Sequence, residues 1–220
     1  MSKKLIIEIF IIAGILALPF VYLGIIYNSL PATIPTHFNF KGEPDNYGDK
    51  SSLIYTSILL CIVSIGTYLL VKNAHKIDPK KAAGQSPELL AKIAWSLLVF
   101  LSIIQLIIIH SSITKQFNGG KYIFPAVGLF LAVLGNFMHS IKPNYFIGFR
   151  LPWTLENEEN WRKTHQLVSK VWVVGGLLIA LVTLAITITI SIWIALFIII
   201  LLVAIPTIYS YQLYKQINSK

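Results

Sequence analysis

The sequence predicts an all-α polytopic membrane protein: six transmembrane helices, a small ordered extracytoplasmic loop, and a cytoplasmic interfacial elbow helix before the fifth span. Three observations predict it. Of 220 residues, 55% are hydrophobic and only 12% charged, at a mean hydropathy of +0.72. A soluble domain is about a quarter charged, so this chain has too little polar surface to face water on all sides. Apolar runs of roughly 20 residues, the length that crosses a bilayer, recur along it. The net charge is +9, and the basic residues gather on one side of those runs. This composition excludes a soluble enzyme, a nucleic-acid-binding domain and a disordered chain. The lipid bilayer is the partner it assigns, and no direct contact with nucleic acid is expected.

The first run is Leu5 to Ile26. Lys3 and Lys4 resemble the basic start of a signal peptide, but the run is too long for one and no small-x-small cleavage site follows, so a retained helix is expected. The second run is Ser51 to Val71, with Ser51 or Asp49 as its cap. The third is Leu89 to His110, announced by Ser86-Pro87-Glu88: a capping hydroxyl, proline at the first helical position and a carboxylate in the first turn. The fourth is Tyr122 to Ile141. The last, Leu167 to Tyr211, would be about twice a bilayer thick as one helix, so two spans are expected, with a turn at Thr187–Ser191. Pro19, Pro125 and Pro206 read as lying mostly near helix ends. Tyr22, Tyr27, Tyr122, Trp172, Tyr209 and Tyr211 read as interfacial aromatics. The whole is expected to be one integral membrane domain, 1–220, with a two-helix unit at 1–71 carrying an outer loop at 27–50, and a four-helix unit at 89–220 carrying a cytoplasmic motif at 142–166.

One side of the spans collects Lys3, Lys4, Lys72, Lys76, Lys80, Lys81, Lys92, Lys142, Arg150, Arg162, Lys163, Lys170, Lys215 and Lys220; the other has Lys41, Lys50, Lys115 and Lys121. The positive-inside rule then places both termini in the cytoplasm, most simply of a bacterial plasma membrane. Ionisable groups inside the spans are scarce. Glu8 is expected to pair with Lys4 one turn earlier. Gln105 and Asn136 are the deepest amides, with interhelical hydrogen bonding the expected role. His110 and His139 fall at span ends, and the lone Cys61 reads as a small core residue. No DxD, HExxH, GxSxG or P-loop pattern occurs, so no enzymatic activity is expected.

Two loops carry more information than a connector needs. In the first, Pro31 and Pro35 force extended backbone, Thr36–Phe40 alternates like a short strand, and Gly42, Pro44-Asp45-Asn46 and Gly48 supply turn chemistry. His37 with Glu43, Asp45 and Asp49 is a candidate metal set, but one histidine at no standard spacing favours a structural role, and neither metal nor cofactor is expected. In the second, Thr154 can cap a helix opening with Glu156, Glu158 and Glu159, and Trp161, His165, Val168 and Trp172 form one stripe along it. The stripe reads as an elbow helix on the membrane surface, anchored by Trp161, with Arg150 and Arg162 free to pair with the glutamates or with lipid phosphates. The elbow is either structural or a partner-binding surface.

At these loops the chain resembles a known family. Ile34-Pro35-Thr36-His37-Phe38, then Gly42-Glu43-Pro44-Asp45 and Tyr47-Gly48, are similar to the N-terminal domain of unknown function of SdpI-like membrane proteins. The run from Asn144 to Leu155, followed by Trp161-Arg162-Lys163-Thr164-His165, resembles the SdpI signature itself, with Phe149 and Leu151 as minor departures. The resemblance implies a six-span bacterial protein whose type member protects its host against a secreted toxin peptide and holds a transcriptional repressor at the membrane. On this reading Pro35, His37, Phe38, Gly42, Asp45, Tyr47 and Gly48 face a toxin outside. Asn144, Gly148, Arg150, Pro152, Trp153, Thr154, Trp161, Arg162, Thr164 and His165 form the signalling or structural motif inside. A transporter or channel with a cavity lined by Glu8, Gln105 or Asn136, and an envelope-maintenance protein with no ligand of its own, are the alternatives.

Overall fold

The computed structural model describes residues 2–39, 43–77, 84–113 and 120–219. In chain order the elements are α1 (Lys3–Ile26), a 3-10 turn (Tyr27–Ser29), β1 (Thr33–Phe38), β2 (Pro44–Asp49), α2 (Ser52–Lys72), α3 (Ala74–Ile77), α4 (Pro87–Ser111), α5 (Gly120–Met138), α6 (Pro152–Glu156), α7 (Glu158–Ala185) and α8 (Ile188–Asn218). Six helices, α1, α2, α4, α5, α7 and α8, are long and apolar enough to cross a membrane, as expected. Their outward residues are apolar: Phe10 is 73% and Ile25 76% exposed, a surface suited to lipid rather than to water. Gly42, Lys41, Lys80, Lys81, Lys115 and Lys220, which carry expectations above, lie outside the described residues.

Helix boundaries follow from their caps. Ser2 Oγ accepts from Leu5 N–H at 3.3 Å, and Ser86 Oγ from Leu89 N–H at 3.4 Å, with Pro87 in the first turn as expected. Of the two candidates at α2, Asp49 does the work: its Oδ1 accepts from Ser51 N–H at 2.7 Å, whereas the Ser51 side chain makes no cap. That bond holds the exposed Asp49 carboxyl below its ordinary range. The α7–α8 turn is tighter than expected. Only Ile186 and Thr187 break the helix, and Ser191 Oγ, already helical, donates to Thr187 O at 2.9 Å and Thr183 O at 3.3 Å, closing the joint.

Pro19 and Pro206 lie inside helices, not near their ends, and a physical device makes this possible. A helical proline has no N–H for the carbonyl four residues before it. For Pro19 that carbonyl is Ile15 O, and Ser102 Oγ of α4 donates to it at 3.0 Å. For Pro206 it is Leu202 O, and Trp172 Nε1 of α7 donates to it at 3.0 Å. Each orphaned acceptor thus becomes an interhelical hydrogen bond, which a bilayer interior demands. Trp172 is therefore a mid-helix packing residue and not an interfacial one.

The α5–α7 pair crosses where neither helix has bulk. A Cβ on Gly128 would stand 2.5 Å from Gly176 O, and one on Gly176 2.5 Å from Gly128 O. Small residues at such crossings let backbones touch, and this dispersion gain replaces the hydrophobic effect that is absent in lipid. Two apolar clusters close the ends of the bundle. One unites Leu16, Tyr68, Leu98, Met138, Trp161 and Val168 from α1, α2, α4, α5 and α7 near the α5–α7 loop, with the partly buried Cys61 against it. The other holds Leu23, Leu30, Ile34, Leu53 and Ile109 beneath the β hairpin. They mark a motif end and a hairpin end on opposite sides of the bundle, with the start of α1 and the end of α8 both at the motif end.

Candidate functional site

At the hairpin end, β1 and β2 pair antiparallel from Thr33↔Asp49 to Phe38↔Pro44, with irregular register around His37. The expected turn at Pro44–Asn46 and Gly48 is instead the second strand, because Pro44 through Asp49 find a partner in β1. Pro35 and Pro44 lie in a two-stranded ribbon, whose outward-facing N–H positions have no strand to pair with and so tolerate proline. Ile34, 1% exposed, pins the ribbon into the apolar cluster, and Lys50 Nζ donates to Tyr27 O at 3.3 Å. Above this anchor the polar face is open. His37 Nδ1 lies 2.5 Å from Asp45 Oδ1, both side chains exposed. Tyr47 is 59% exposed, while Pro35, Phe38 and Gly48 are half-buried. Asn39 Oδ1 accepts from Glu43 N–H at 3.0 Å and Asn39 N–H donates to Glu43 O at 2.9 Å, narrowing the ribbon toward its tip.

At the motif end the signature residues converge on one buried histidine. Asn144 folds the loop: its Oδ1 accepts from Phe146 and Ile147 N–H at 2.8 and 2.7 Å, and its Nδ2 donates to Lys142 and Ile147 O at 2.8 and 2.9 Å. Gly148 follows at φ +116°, a conformation only glycine enters readily, and a Cβ there would stand 2.5 Å from His165 Nε2. The close approach lets Phe149 N–H donate to His165 Nε2 at 2.9 Å. Nε2 is then an acceptor, so the proton is on Nδ1, which donates to Trp161 O at 2.8 Å. The imidazole is neutral, and both nitrogens are occupied. Trp161 stacks on it at 4.0 Å and 19°, and donates through Nε1 to Ile141 O at 2.7 Å.

The elbow differs from its expected form. Thr154 does not cap the long helix; it lies buried in the short α6, where its Oγ1 accepts from Leu151 N–H at 2.9 Å and can donate to Phe149 O at 2.9 Å. Asn157 starts α7 instead, its Oδ1 accepting from Asn160 N–H at 2.8 Å. Trp161, at 1% exposure, is a core residue rather than a surface anchor, and His165 and Val168 of the same stripe are buried with it. Arg150 donates to Tyr145 O, and the exposed Arg162 flanks Glu158 and Glu159 in a surface groove. A polar tie reaches α8: Asn160 Nδ2 donates to Ser210 O at 2.9 Å, Thr164 Oγ1 to Asn160 Oδ1 at 3.0 Å, and Trp153 Nε1 to Ser210 Oγ at 3.0 Å. Trp153 also meets Tyr211 at 5.3 Å, while Pro152 is exposed at the start of α6. Asn160 and Ser210 were not anticipated. Asn160 lies one turn before Thr164, a readable spacing, but nothing in the sequence marks Ser210.

Glu8, Gln105 and His110 are engaged by protein, and Asn136 is not buried between helices. Glu8 binds Lys72 and Tyr68 across to α2, and not Lys4 as expected, because the helix pairing brings Lys72 to it. Gln105 Nε2 donates to Ser57 O at 3.4 Å, the expected interhelical role. Asn136 is exposed and lines a groove at the motif end instead of bonding deep between helices. His110 Nδ1 meets Tyr22 Oη at 2.8 Å near the hairpin end.

The SdpI/YfhL protein family matches residues 140–210, which hold the whole histidine-centred motif and its tie to α8. The domain of unknown function DUF1648 matches residues 14–62, which hold the hairpin and the adjoining halves of α1 and α2. The chain is 31% identical over 216 residues to the Immunity protein SdpI of Bacillus subtilis (strain 168), covering 98% of each chain. It is also 38% identical over 56 residues to an uncharacterized protein of Archaeoglobus fulgidus, covering 26% of this chain and 29% of that one. No solved structure matches. A chain with this end-to-end similarity, this pair of domains and six apolar helices is a multi-pass membrane protein that belongs to the SdpI family.

Proposed function

We propose that this chain is an immunity protein of the bacterial plasma membrane, with both termini in the cytoplasm, protecting its cell against a secreted membrane-active toxin peptide. Its similarity to an immunity protein along 98% of both chains carries this reading. Charge supports the orientation: Lys3, Lys4, Lys72, Lys76, Lys142 and Arg150 lie toward the motif end, against Lys50 and Lys121 at the hairpin end. The hairpin then faces outward. Its exposed His37, Asp45 and Tyr47 offer a hydrogen-bonded imidazole–carboxylate pair and an aromatic ring to an amphipathic peptide before it inserts. The motif faces inward, where Arg150, Trp153 and the end of α8 form a basic, aromatic surface for a transcriptional repressor. Signalling between the ends requires the peptide to bind one packing of the helices more tightly than another, and the Asn160–Ser210 tie is the joint that would report the change. Engagement of Glu8 and Gln105 by neighbouring helices weighs against a transport path through them.

A killing assay tests the proposal. Sensitive cells expressing the chain are challenged with the host's own secreted peptides while membrane potential is followed. Retained potential and survival are expected, with protection falling in a His37→Ala/Asp45→Ala variant of equal abundance. An unprotected strain overturns the immunity reading, and full protection by the double variant overturns the role of the hairpin. Arg150→Ala is expected to spare protection and abolish any repressor recruitment.

A further inference from the structure

The α4–α5 seam is open to the membrane along its length. At the motif end a groove of about 530 Å³ is lined by Gln85, Glu88 and Lys92 from the start of α4, Asn136 and His139 from the end of α5 and its loop, and Lys142. One turn deeper the same two helices line an apolar cleft of about 440 Å³, between Trp95, Val99 and Ile103 on α4 and Ala126, Leu129 and Val133 on α5. The stacked rings of Phe100 and Phe130, 4.0 Å apart and 6° from parallel, form part of its lining. The lining positions on each helix follow one another at helical spacing, so the polar groove and the apolar cleft lie in line as successive stretches of one α4–α5 furrow. From Lys92 to Ile103 the helix rises about 16 Å, which is about the depth of one leaflet's hydrocarbon.

The furrow's polar end is not simply solvated surface. Gln85 is 5% exposed. Its Nε2 donates to Lys142 O, which fixes the amide's orientation and leaves Oε1 as the acceptor. That Oε1 is buried with no donor among the described residues. A buried amide oxygen without a donor is unfavourable, so the site suits a hydrogen-bond donor that no described residue supplies. Among the described residues lining the groove, two lysines, Lys92 and Lys142, stand against one carboxylate, Glu88, which is itself bonded to Ser86 Oγ at 2.6 Å.

We propose that the α4–α5 furrow binds one phospholipid with an anionic, hydroxyl-bearing headgroup. Its phosphate lies between Lys92 and Lys142, a headgroup hydroxyl donates to Gln85 Oε1, and an acyl chain fills the cleft past Trp95 to Ile103. A zwitterionic choline headgroup has no hydroxyl to donate and carries a cation toward the two lysines, so it fits poorly. The site is separate from the hairpin and from the histidine-centred motif, and it stands or falls independently of the immunity reading.

Native mass spectrometry of the full chain in detergent tests this, with phosphatidylglycerol, phosphatidylmethanol (anionic, without a headgroup hydroxyl) and phosphatidylcholine as probes. Phosphatidylglycerol is expected to be retained about tenfold better than phosphatidylcholine, the increment of one charge-assisted contact. Lys92→Ala/Lys142→Ala is expected to erase that preference. Gln85→Leu is expected to equalise phosphatidylglycerol and phosphatidylmethanol while leaving both above phosphatidylcholine, and Val99→Trp to weaken all three. Should the alanine pair fail to fold, Lys92→Gln/Lys142→Gln keeps the side-chain bulk and removes the charge. Equal retention of phosphatidylglycerol and phosphatidylcholine by the unmodified chain, or undiminished preference in the lysine variants, overturns the site. Equal retention of phosphatidylglycerol and phosphatidylmethanol by the unmodified chain overturns the headgroup assignment.

Discussion

Gly148 and His165 are interlocked: the one has no Cβ, and the other's ring nitrogen occupies the space a Cβ would take, at 2.5 Å. Gly148→Ala therefore meets two penalties, positive φ and a clash with a buried ring. It is expected to lower stability by about 2–4 kcal/mol, read as a lower thermal unfolding midpoint in detergent. The two penalties separate in a double-mutant cycle. In a His165→Ala background the 2.5 Å clash is gone and the tight contacts with the Trp161 ring at 3.1 and 3.2 Å remain, so Gly148→Ala should cost less, about 1–2 kcal/mol. Equal costs in both backgrounds would show that the ring is not what confines the glycine. The sequence shows Gly148, Trp161 and His165 as members of one motif. It does not show their contact, because a positive φ and a stacking distance belong to the folded loop and not to residue spacing.

The hairpin divides into an anchoring face and a free face, and substitutions on the two should behave oppositely. Ile34→Ala empties a fully buried site and should cost about 2–4 kcal/mol, measured by the same thermal unfolding. His37→Ala, on the exposed face, should change stability by less than about 0.5 kcal/mol, so any loss of protection would be a loss of recognition. At the junction with α2, the carboxyl of Asp49 is held low by its bond to Ser51 N–H. A depressed carboxyl contributes above its unfolded value, about 3.9, and the contribution disappears as pH falls through the lower folded value. Hydrogen exchange at the first turn of α2 should therefore accelerate on acidification below about pH 4 beyond its intrinsic trend. In Asp49→Asn, which keeps an acceptor and has no carboxyl to protonate, that extra acceleration should vanish. The strand in β1 was partly legible from the alternation around His37. β2 was hidden because Pro, Asp, Asn and Gly favour turns locally, and cross-strand pairing overrode that preference.

The bundle is held by close backbone contact and by shared interhelical hydrogen bonds as well as by its apolar clusters. Gly128→Leu would drive a side chain into Gly176 O and Ala180 N of α7. It is expected to destabilise the chain by about 2–5 kcal/mol or to prevent its accumulation in the membrane, checked by thermal unfolding and by abundance. The paired prolines and donors, Pro19 with Ser102 and Pro206 with Trp172, lock α1 to α4 and α7 to α8 by the same logic.

Hydrophobic run length and charge placement alone determine that this chain has six spans, roughly where each begins, and that it crosses a membrane, because the cost of burying an unpaired polar backbone or a charge in lipid is large and local. Family membership is legible too, since the motif residues are consecutive in sequence. The tertiary structure decided which polar groups meet: Glu8 with Lys72 instead of Lys4, Asn157 instead of Thr154 at the head of α7, Trp161 in the core instead of at the surface, and Gln85 with an acceptor left over. Those choices depend on which helices lie side by side and at what rotation, and packing between distant segments sets both.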